Sequence, residues 1–196
     1  NVSVRLDYGA YRAAVSGLLE KLTLHPRTTV FLDQMAGQGC AAVRHASAVC
    51  FISLLIGLRL EPWLVRNRAR LGSARAREIA NLGVGALLHD VGMLMLDPAV
   101  MERWASSADE SDPAFRAHTQ VGFDLVKDEL EPTAAGIILN HHQRFDGSGF
   151  PSMPCFGSEP RPLSGERIHA FARIVGLVDA FDRLRFGVND RLLSDG

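Results

Sequence analysis

The sequence is poor in several features that mark common classes of protein. Its three cysteines, Cys40, Cys50 and Cys155, form no C-x-x-C pair, and an odd number cannot all pair with one another. This pattern excludes a disulfide scaffold and a cysteine-based zinc site, and it fits a reduced, cytoplasmic compartment. Lysine is nearly absent, with only Lys21 and Lys127, so arginine supplies almost all of the positive charge.

An excess of charge of either sign is also missing. The 21 Lys and Arg residues face 22 Asp and Glu residues, so we expect no duplex nucleic acid as a partner. No signal peptide follows Asn1, which fits a fragment of a longer protein. The most apolar run, residues 49–60, contains Ser53 and Arg59 and is too short to cross a bilayer. We therefore expect a buried core helix there and no membrane contact by this domain.

Strand signals are scarce, whereas helical periodicity recurs along the chain. Apolar residues repeat at helical spacing, and prolines and glycines mark the ends of the segments. With 47% hydrophobic residues, the chain can bury a sizeable core. The sequence therefore predicts an all-α fold. The predicted helices span residues 8–24, 41–60, 75–90, 98–104, 113–130, 132–142 and 165–184, with Ser164 as the cap of the last, and a Gly/Pro-rich loop spans residues 144–165.

Histidines and aspartates recur among strongly apolar neighbours. His45 lies in the long apolar helix, His89 and Asp90 close the helix that ends in Ala-Leu-Leu, and Asp179 follows Leu-Val in the last helix. An ionised carboxylate in such surroundings is costly unless it is paired or binds a metal ion. Imidazoles and carboxylates from several helices would satisfy one another by ligating cations. Taken singly, each histidine is more often a satisfied core residue, or one that faces solvent at a helix end.

Four stretches carry most of these residues in order along the chain. Residues 88–92 read LHDVG, 118–122 read HTQVG, 141–151 read HHQRFDGSGFP and 173–182 read RIVGLVDAFD. They resemble L-H-D-[IV]-G-K, H-P-x-x-G, HH-E-x-x-D-G-x-G-Y-P and R-I-x-x-[IV]-x-D-x-[FY]-D, the motifs of the HD-GYP branch of the HD phosphohydrolase family. His45 stands where that family has its first histidine. An ordered match with several Gly, His and Pro positions is specific.

This resemblance implies an HD-domain helical bundle with a GYP-type loop over residues 41–196, preceded by an N-terminal helical extension over residues 1–40. It implies two divalent metal ions, and iron or manganese are the expected metals. A third metal is not expected, because Ala41 stands where some members have the glutamate that binds it. The family's R-P-Y-R after Asp182 is missing, so we expect the domain to stop short of the family's final helices. The metal ligands carried over residue by residue are His45, His89, Asp90, His118, His141, His142 and Asp179.

The resemblance also implies hydrolysis of cyclic di-GMP or a related cyclic dinucleotide. A hydroxide between the two metals would attack phosphorus in line, and the metals would spread the transition-state charge. His89 and Asp90 would form the catalytic centre, with Asp90 bridging the metals. Arg173 would grip a phosphate or, with equal weight, form a salt bridge at a helix surface. Gly147 and Gly149 would let the loop shape the rim of the substrate site.

Three positions depart from the family pattern. Met93 replaces a lysine that faces phosphate, Gln143 replaces a glutamate, and Phe150 replaces a tyrosine. Phe150 would stack on a substrate base or, equally, lie in the core beneath the loop. None of the three is an expected ligand, so we expect metal binding to survive. Loss of one transition-state cation costs roughly a hundredfold to a thousandfold in rate.

Three functions stay open on this pattern. The first is a cyclic dinucleotide phosphodiesterase. The second is a catalytically weak or silent module that binds a nucleotide or a partner protein, such as a GGDEF-type cyclase domain. The third is a hydrolase of ordinary nucleotide phosphates, and the D-G-S-G-F-P loop argues against it. His25 and His169 match no motif and are predicted to be surface or capping residues, and Asp146 is predicted to structure the loop through Asx-type hydrogen bonds.

Overall fold

The computed structural model describes residues 7–24, 26–37, 40–68, 71–72, 78–155 and 157–186. Within these residues the chain forms nine α-helices and one small antiparallel sheet, which confirms the predicted all-α fold. The α-helices are α1 (Tyr8–Thr23), α2 (Pro26–Ala36), α3 (Cys40–Arg59), α4 (Glu61–Asn67), α5 (Ala80–Leu87), α6 (Pro98–Ser107), α7 (Pro113–Val126), α8 (Pro132–Asn140) and α9 (Ala170–Phe186). The remaining elements are the strands β1 (Met153–Cys155) and β2 (Ser158–Arg161) and the 3-10 helices Val91–Met95 and Gly165–Arg167.

Three consecutive helices, α6 to α8, begin with an acidic residue followed by proline. In each case the carboxylate accepts a 2.8 Å hydrogen bond from the backbone N–H two residues later. The carboxylate satisfies one of the free N–H groups of the first turn, and proline at the first helical position has no N–H to satisfy. These local contacts explain why the predicted starts of all three helices are correct. The pairs are Asp97-Pro98, Asp112-Pro113 and Glu131-Pro132.

Helices α3 and α5 form the centre of the fold. Helix α3 packs against α5 and α9, and α5 also packs against α1 and α8. All seven residues from Ala80 to Ala86 are buried, which explains why this segment carries no charge. Its one polar side chain, Asn81, donates a 3.0 Å hydrogen bond to Glu131. The two helices therefore form a core around which the others are arranged.

Helix α3 is long and apolar enough over Ala41–Arg59 to cross a membrane, with a mean hydropathy of 1.8. The segments Ala80–Met95 and Pro98–Ser107 pass the same test only when taken together across a bend of 119°. Such matches are weak evidence because the core helices of globular proteins share this length and composition. Val49 and Leu54 of α3 are at most 1% exposed and belong to the main hydrophobic core. This packing agrees with the predicted core helix.

Helices α1 and α2 pack onto this core. Leu18 of α1 and Met35 of α2 belong to the same buried cluster as Leu82 of α5. The predicted extension, residues 1–40, is therefore helical where the structure describes it. The boundary after the extension stays a prediction. The early stop predicted for the C-terminal domain concerns residues 187–196, which lie outside the described residues.

The helix predicted over residues 75–90 is shorter in the structure. It begins at Ala80 and ends at Leu87, so His89 and Asp90 lie in a tight turn and not on the helix. Leu88 N–H makes the last helical hydrogen bond, and the carbonyl of Leu88 accepts from the N–H that starts the following 3-10 helix. The prediction that His89 and Asp90 share a helix is wrong because these two residues form a turn between α5 and the following 3-10 helix.

The cap predicted for the last helix at Ser164 is also wrong. Helix α9 begins five residues after the predicted position, and the intervening residues form a separate 3-10 helix without a side-chain cap. The Ser164 hydroxyl accepts instead from Arg167 Nη2 at 2.9 Å. At the start of α9 the N–H of Phe171 donates to His169 Nδ1 at 3.2 Å, which agrees with a capping role for His169. His25 lies outside the described residues.

The region predicted as a loop over residues 144–165 contains a small hairpin. Strands β1 and β2 pair antiparallel, with Met153 opposite Arg161 and Cys155 opposite Ser158. A stretch rich in Gly, Pro and Ser shows no alternating apolar pattern, so the sequence carried no signal for these strands.

Two glycines let the 3-10 helix after Asp90 lie directly against α7. A Cβ on Gly92 would lie 1.9 Å from the carbonyl oxygen of His118 and 2.6 Å from the backbone nitrogen of Gly122. A Cβ on Gly122 would lie 3.0 Å from the backbone nitrogen of Gly92. The absence of side chains at both positions therefore sets the distance between the His89-Asp90 turn and His118.

Replacing Gly92 with alanine should lower the free energy of unfolding by about 1–3 kcal/mol or more, because the methyl group forces two backbones apart. Urea denaturation in the presence of a chelator measures this effect without a contribution from metal. Gly136→Ala is the matched control, since its Cβ meets nothing within 4 Å. That helical substitution should stabilise the protein by about 0.5–1 kcal/mol. Equal unfolding midpoints for Gly92→Ala and the wild type would contradict the close approach.

Candidate metal centre

Seven histidine and aspartate side chains from five segments meet beside the core. Six of these residues are at most 7% exposed, and the side chain of the seventh, Asp90, is 12% exposed. The structure thus brings together every residue that the motifs predict as a metal ligand. The residues are His45 from α3, His89 and Asp90 from the turn after α5, His118 from α7, His141 and His142 from the turn after α8, and Asp179 from α9.

The seven side chains form overlapping groups with the geometry of metal sites. Within each group the possible ligand atoms all lie within 4.8 Å of one another. Asp90 belongs to the two groups that together contain all the other residues except Asp179. The groups are His45, His89 and Asp90; Asp90, His118, His141 and His142; and His89, His141 and Asp179.

The two oxygens of Asp90 face different groups. Oδ2 lies 3.2 Å from His89 Nε2 and 3.7 Å from His45 Nε2. Oδ1 lies 3.7 Å from Nε2 of both His118 and His141. A carboxylate with one oxygen toward each group can bind a different cation through each oxygen. This arrangement is the one required of a ligand that bridges two metal ions.

Backbone carbonyl groups determine which nitrogen of three imidazoles faces the centre. Nδ1 of His89, His118 and His141 lies 2.8, 2.7 and 2.9 Å, respectively, from the carbonyl oxygen three residues earlier. A carbonyl oxygen only accepts, so Nδ1 carries a hydrogen and Nε2 is the nitrogen that faces the centre, with its lone pair free when the ring is neutral. This is the tautomer that a metal-binding histidine needs.

Three buried imidazole nitrogens have no hydrogen-bond partner among the described residues. They are the Nε2 atoms of His118, His141 and His142. A buried polar atom without a partner costs about 1–3 kcal/mol, and a bound cation would remove that cost for all three. Imidazole with added carboxylate suits divalent transition metals such as iron and manganese. The residues present therefore fit a pair of such ions.

Burial and nearby carboxylates move the pKa values of the histidines in opposite directions. Burial lowers the pKa of His118 to about 4 even though Asp90 is close, so this ring is neutral at pH 7. Burial also acts to lower the pKa of His89, but the carboxylates of Asp90 and Asp179 outweigh it and raise that pKa to about 10. His89 Nε2 therefore attracts a cation, either a proton or a metal ion, at neutral pH.

Two residues of α9 to which the motifs assign no role also contact the centre. Asp182 Oδ2 accepts a 2.6 Å hydrogen bond from His45 Nδ1, which directs His45 Nε2 toward Asp90 and Asp179. Arg183 Nη2 pairs with Asp179 Oδ2 at 2.5 Å. Both residues lie three or four positions after Asp179, and that helical spacing places them on the same face. This spacing is the sequence signal that could have identified them.

Two clefts reach the centre, and their linings differ in chemistry. The first has a volume of about 410 Å³, includes His45 and Asp90, and is otherwise apolar. The second has a volume of about 370 Å³ and includes His141 and His142 together with three arginines and one carboxylate, that of Glu110. The centre is therefore open to an apolar group on one side and to an anionic group on the other. Further lining residues are Met35, Met93, Met101 and Trp104 in the first cleft, and Arg144, Arg173 and Arg183 in the second.

Phe150 lies in the core and not on the surface of the substrate site. The residue is 5% exposed and packs in a small cluster with Trp104 and Phe115. Its ring stacks on the imidazole of His142 with the centroids 4.4 Å apart, and the Arg116 guanidinium lies 4.9 Å from its centroid. The buried ring is therefore covered by other side chains and is not accessible to a base. The stacking role predicted for Phe150 is therefore wrong, and the core alternative is correct.

The two loop glycines have backbone roles. Gly147 has a φ of +85°, a conformation that favours glycine, and it is half-buried. Gly149 is buried, and a Cβ there would lie 2.4 Å from the carbonyl oxygen of His142. The substrate contact predicted for Gly149 is therefore corrected to a close backbone approach that fixes the loop against the His142 turn. Asp146 accepts from the N–H and hydroxyl of Ser148 at 2.9 and 2.7 Å, which confirms its predicted role.

The two motif departures that remove a charge have different surroundings. Gln143 Nε2 donates to the carbonyl of Pro151 at 2.7 Å, and its Oε1 accepts from the N–H of Leu163 at 2.8 Å. An ionised glutamate accepts only, so it would lose the first of these bonds. Gln143 therefore holds the loop in place. Met93, in contrast, lines the first cleft beside Asp90, and no cation lines that cleft among the described residues.

Arg173 lies in the second cleft between aromatic rings. Its guanidinium carbon is 5.0 Å from the centroid of Trp63 and 6.0 Å from that of Phe145. Within the part of the chain that the structure describes, it makes no ion pair, so the alternative of a surface salt bridge lacks support. It lines the second cleft together with His141 and His142, and its binding of phosphate stays a prediction.

Comparison with known proteins gives one family match and several curated relatives. The sequence model of the HD domain family matches residues 43–184. The chain is 25% identical over 186 residues to a cyclic di-GMP phosphodiesterase of Pseudomonas aeruginosa, over 92% of this chain and 40% of that protein. It is 30% identical over 110 residues to the cyclic di-GMP phosphodiesterase response regulator RpfG of Xanthomonas campestris pv. campestris, over 55% of this chain and 27% of that protein. It is 27% identical over 100 residues to the 3'3'-cGAMP-specific phosphodiesterase 2 of Vibrio cholerae, over 50% of this chain and 17% of that protein. The chain thus matches less than half the length of each relative.

Replacing Asp182 with asparagine should weaken metal binding by about 10- to 100-fold, because a neutral amide no longer holds the His45 ring by a charged hydrogen bond. Calorimetric titration of metal-free protein with Mn²⁺ measures the change. Asp128→Asn is the control, since Asp128 is exposed and lies outside the centre. An affinity of Asp182→Asn equal to that of the control would show that Asp182 does not orient a ligand.

Proposed function

Because this chain belongs to the HD domain family, we propose that it is a metal-dependent phosphodiesterase that hydrolyses cyclic di-GMP or a related cyclic dinucleotide. The resemblance to HD-GYP proteins is confirmed by the family match and by the relatives named as cyclic di-GMP phosphodiesterases. These matches support a phosphohydrolase. The cyclic dinucleotide is part of our proposal, and relatives named for cyclic di-GMP and for 3'3'-cGAMP both support that class of substrate.

The observation that carries the proposal is the division of the Asp90 carboxylate between two groups of imidazoles. When bound, a pair of divalent metal ions supplies an activated water at neutral pH and neutralises the charge of a phosphodiester. We take iron or manganese as the metal, because the ligand set combines imidazole with carboxylate and lacks thiolate. In this proposal His45, His89 and Asp179 hold one ion, His118, His141 and His142 hold the other, and Asp90 contacts both.

The residues of the two clefts would bind and orient the substrate. Arg173 lies in the second cleft, and its planar, charged guanidinium group can donate two parallel hydrogen bonds to two oxygens of a phosphate. The apolar wall of the first cleft, which includes Met101 and Trp104, suits a nucleobase. Gly147 lets the loop turn at the rim of the site. A substrate that spans both clefts would place its phosphodiester against the centre, which both clefts reach.

The second candidate is a catalytically weak or silent module, and the side chain of Met93 favours it. A thioether lies beside Asp90 where the family pattern has a lysine. Such a module would act by binding a nucleotide or a partner protein, for example a GGDEF-type cyclase domain. For either function we propose a cytoplasmic location, and the free thiols of Cys50 and Cys155 agree with a reduced compartment.

Metal analysis of anaerobically purified protein, followed by a cyclic di-GMP assay with added Mn²⁺ or Fe²⁺, tests the proposed enzyme. We expect two ions per chain and hydrolysis of the dinucleotide. Asp90→Asn should retain fewer than one ion because both groups lose a shared ligand, and its rate should fall at least a hundredfold. His118→Gln should retain about one ion. His169→Gln is the matched control and should retain two, because His169 lies at the start of α9 outside the centre.

Two results would count against this scheme. Fewer than one ion per chain in the wild-type protein would remove the metal centre. Two ions together with hydrolysis of ordinary nucleotide phosphates, and none of cyclic dinucleotides, would replace the proposed substrate.

Replacing Met93 with lysine should raise kcat by about a hundredfold if a missing cation limits turnover, because the ammonium group would face the phosphate beside Asp90. Steady-state kinetics with cyclic di-GMP measure kcat and KM separately. Met95→Lys is the control, since it adds the same charge two residues away at an exposed position outside the lining of the cleft. A gain from undetectable turnover would support the silent module, and equal kcat values for both variants and the wild type would show that the lost cation is not limiting.

A further inference from the structure

Glu110 meets three arginines at the edge of the metal centre. It lies in the loop between α6 and α7, and its side chain is 27% exposed. Oε1 accepts a 2.6 Å hydrogen bond from Arg183 Nη1, and Oε2 accepts one of 3.1 Å from Arg144 Nη2. Its backbone carbonyl accepts a 2.6 Å hydrogen bond from Arg116 Nε. A single residue outside every motif thus ties together side chains from α7, α9 and the turn after α8.

Arg183 extends this contact to Asp179. Its Nη2 pairs with Asp179 Oδ2 at 2.5 Å while its Nη1 pairs with Glu110. The other oxygen, Asp179 Oδ1, lies 3.2 Å from His45 Nε2 and 3.7 Å from His89 Nε2. Asp179 therefore directs one oxygen to the centre, and the arginine occupies the other.

A second route leads from Glu110 to the opposite group of ligands. Arg116, held by the Glu110 carbonyl, lies over the ring of Phe150, and that ring stacks on His142. The loop that carries Glu110 is therefore in contact, through one or two side chains, with a ligand from each group. Its position is coupled to both.

We propose that Glu110 and Arg183 are a positioning pair that holds Asp179 as a one-oxygen metal ligand and balances the arginine charge beside the cations. This inference rests on the proposed function, since it concerns the affinity of the same centre. A guanidinium group is a rigid fork that holds two carboxylates on separate nitrogens in a fixed geometry, whereas an ammonium group donates from a single rotatable nitrogen. Its positive charge repels divalent ions across an interior of low dielectric constant, and the Glu110 carboxylate offsets that repulsion.

Loss of Glu110 therefore changes two properties in the same direction. Arg183 loses one of its two anchors, so the orientation of Asp179 becomes less well defined. The arginine charge is also no longer balanced, so a divalent ion near Asp179 is bound less tightly. An ion pair that served stability alone would change the melting temperature and leave the metal affinity and the coordination of the ion unchanged.

The test is calorimetric titration of the metal-free full chain with Mn²⁺, together with visible absorption spectra of the Co²⁺-loaded protein. Glu110→Gln should weaken metal binding by about tenfold and shift the Co²⁺ bands. Arg183→Lys keeps the charge and loses the fork, so we expect a loss of the same order. The matched control is Glu129→Gln, because Glu129 is 31% exposed and pairs with Arg27 at 3.0 Å away from the centre.

Each outcome decides the proposal. A wild-type chain that binds no metal would remove the proposed function and this inference with it. A wild type that binds two ions, with Glu110→Gln equal to Glu129→Gln in affinity and spectrum, would overturn this inference alone. If Glu110→Gln does not fold, Arg183→Lys decides in the same way, and wild-type affinity in that variant would show that the fork does not position Asp179.

Discussion

The burial of ionised carboxylates is the constraint on which the rest of this structure depends. Asp90 and Asp179 lie at a point enclosed by three helices and two turns, where water cannot solvate them fully. A charge in such a place must be offset by protons, cations or charged side chains. The protein provides all three possibilities, in the raised pKa of His89, in the fit to metal ions and in the ion pair with Arg183. The helices thus pack around a polar point. Neutralising the buried carboxylates stabilises the fold, and the same neutralisation by metal ions would assemble the reactive centre.

The positions of the ligands depend on the main chain more than on side-chain packing. Carbonyl groups orient three of the imidazoles, and close backbone approaches fix the turns that carry them. Gly176 in α9 is a further example, because a Cβ there would lie 2.2 Å from the carbonyl oxygen of His141. Backbone atoms move less readily than side chains, so these contacts hold the distances between the ligands.

The sequence predicted those features that are local or that recur as motifs. The helix starts after Asp97, Asp112 and Glu131 depend on contacts within three residues, so pattern alone identifies them. The seven residues of the centre were identified because the order of the motifs is specific, although the sequence placed His89 and Asp90 on a helix and the structure places them in a turn.

The features that the sequence missed depend on tertiary contacts. Glu110 and Arg183 are 73 residues apart, and no local pattern pairs them. The orientation of the Phe150 ring, above or beneath the loop, is decided by His142 and Arg116, which come from other segments. Ser164 has the residue type of a helix cap, but the 3-10 helix that follows it and the imidazole of His169 occupy that role.

The hydrogen bond between His45 and Asp182 spans 137 residues and has a consequence for the order of assembly. A ribosome delivers the N-terminal part first, so His45, His89 and Asp90 leave the exit tunnel while α9 is still unmade. Until α9 docks, the nascent chain holds an incomplete set of imidazoles with no Asp179 to complete it. Metal insertion into the complete centre would therefore follow the synthesis of α9, and a chain stalled before α9 would expose imidazole ligands to whichever cations the cell supplies.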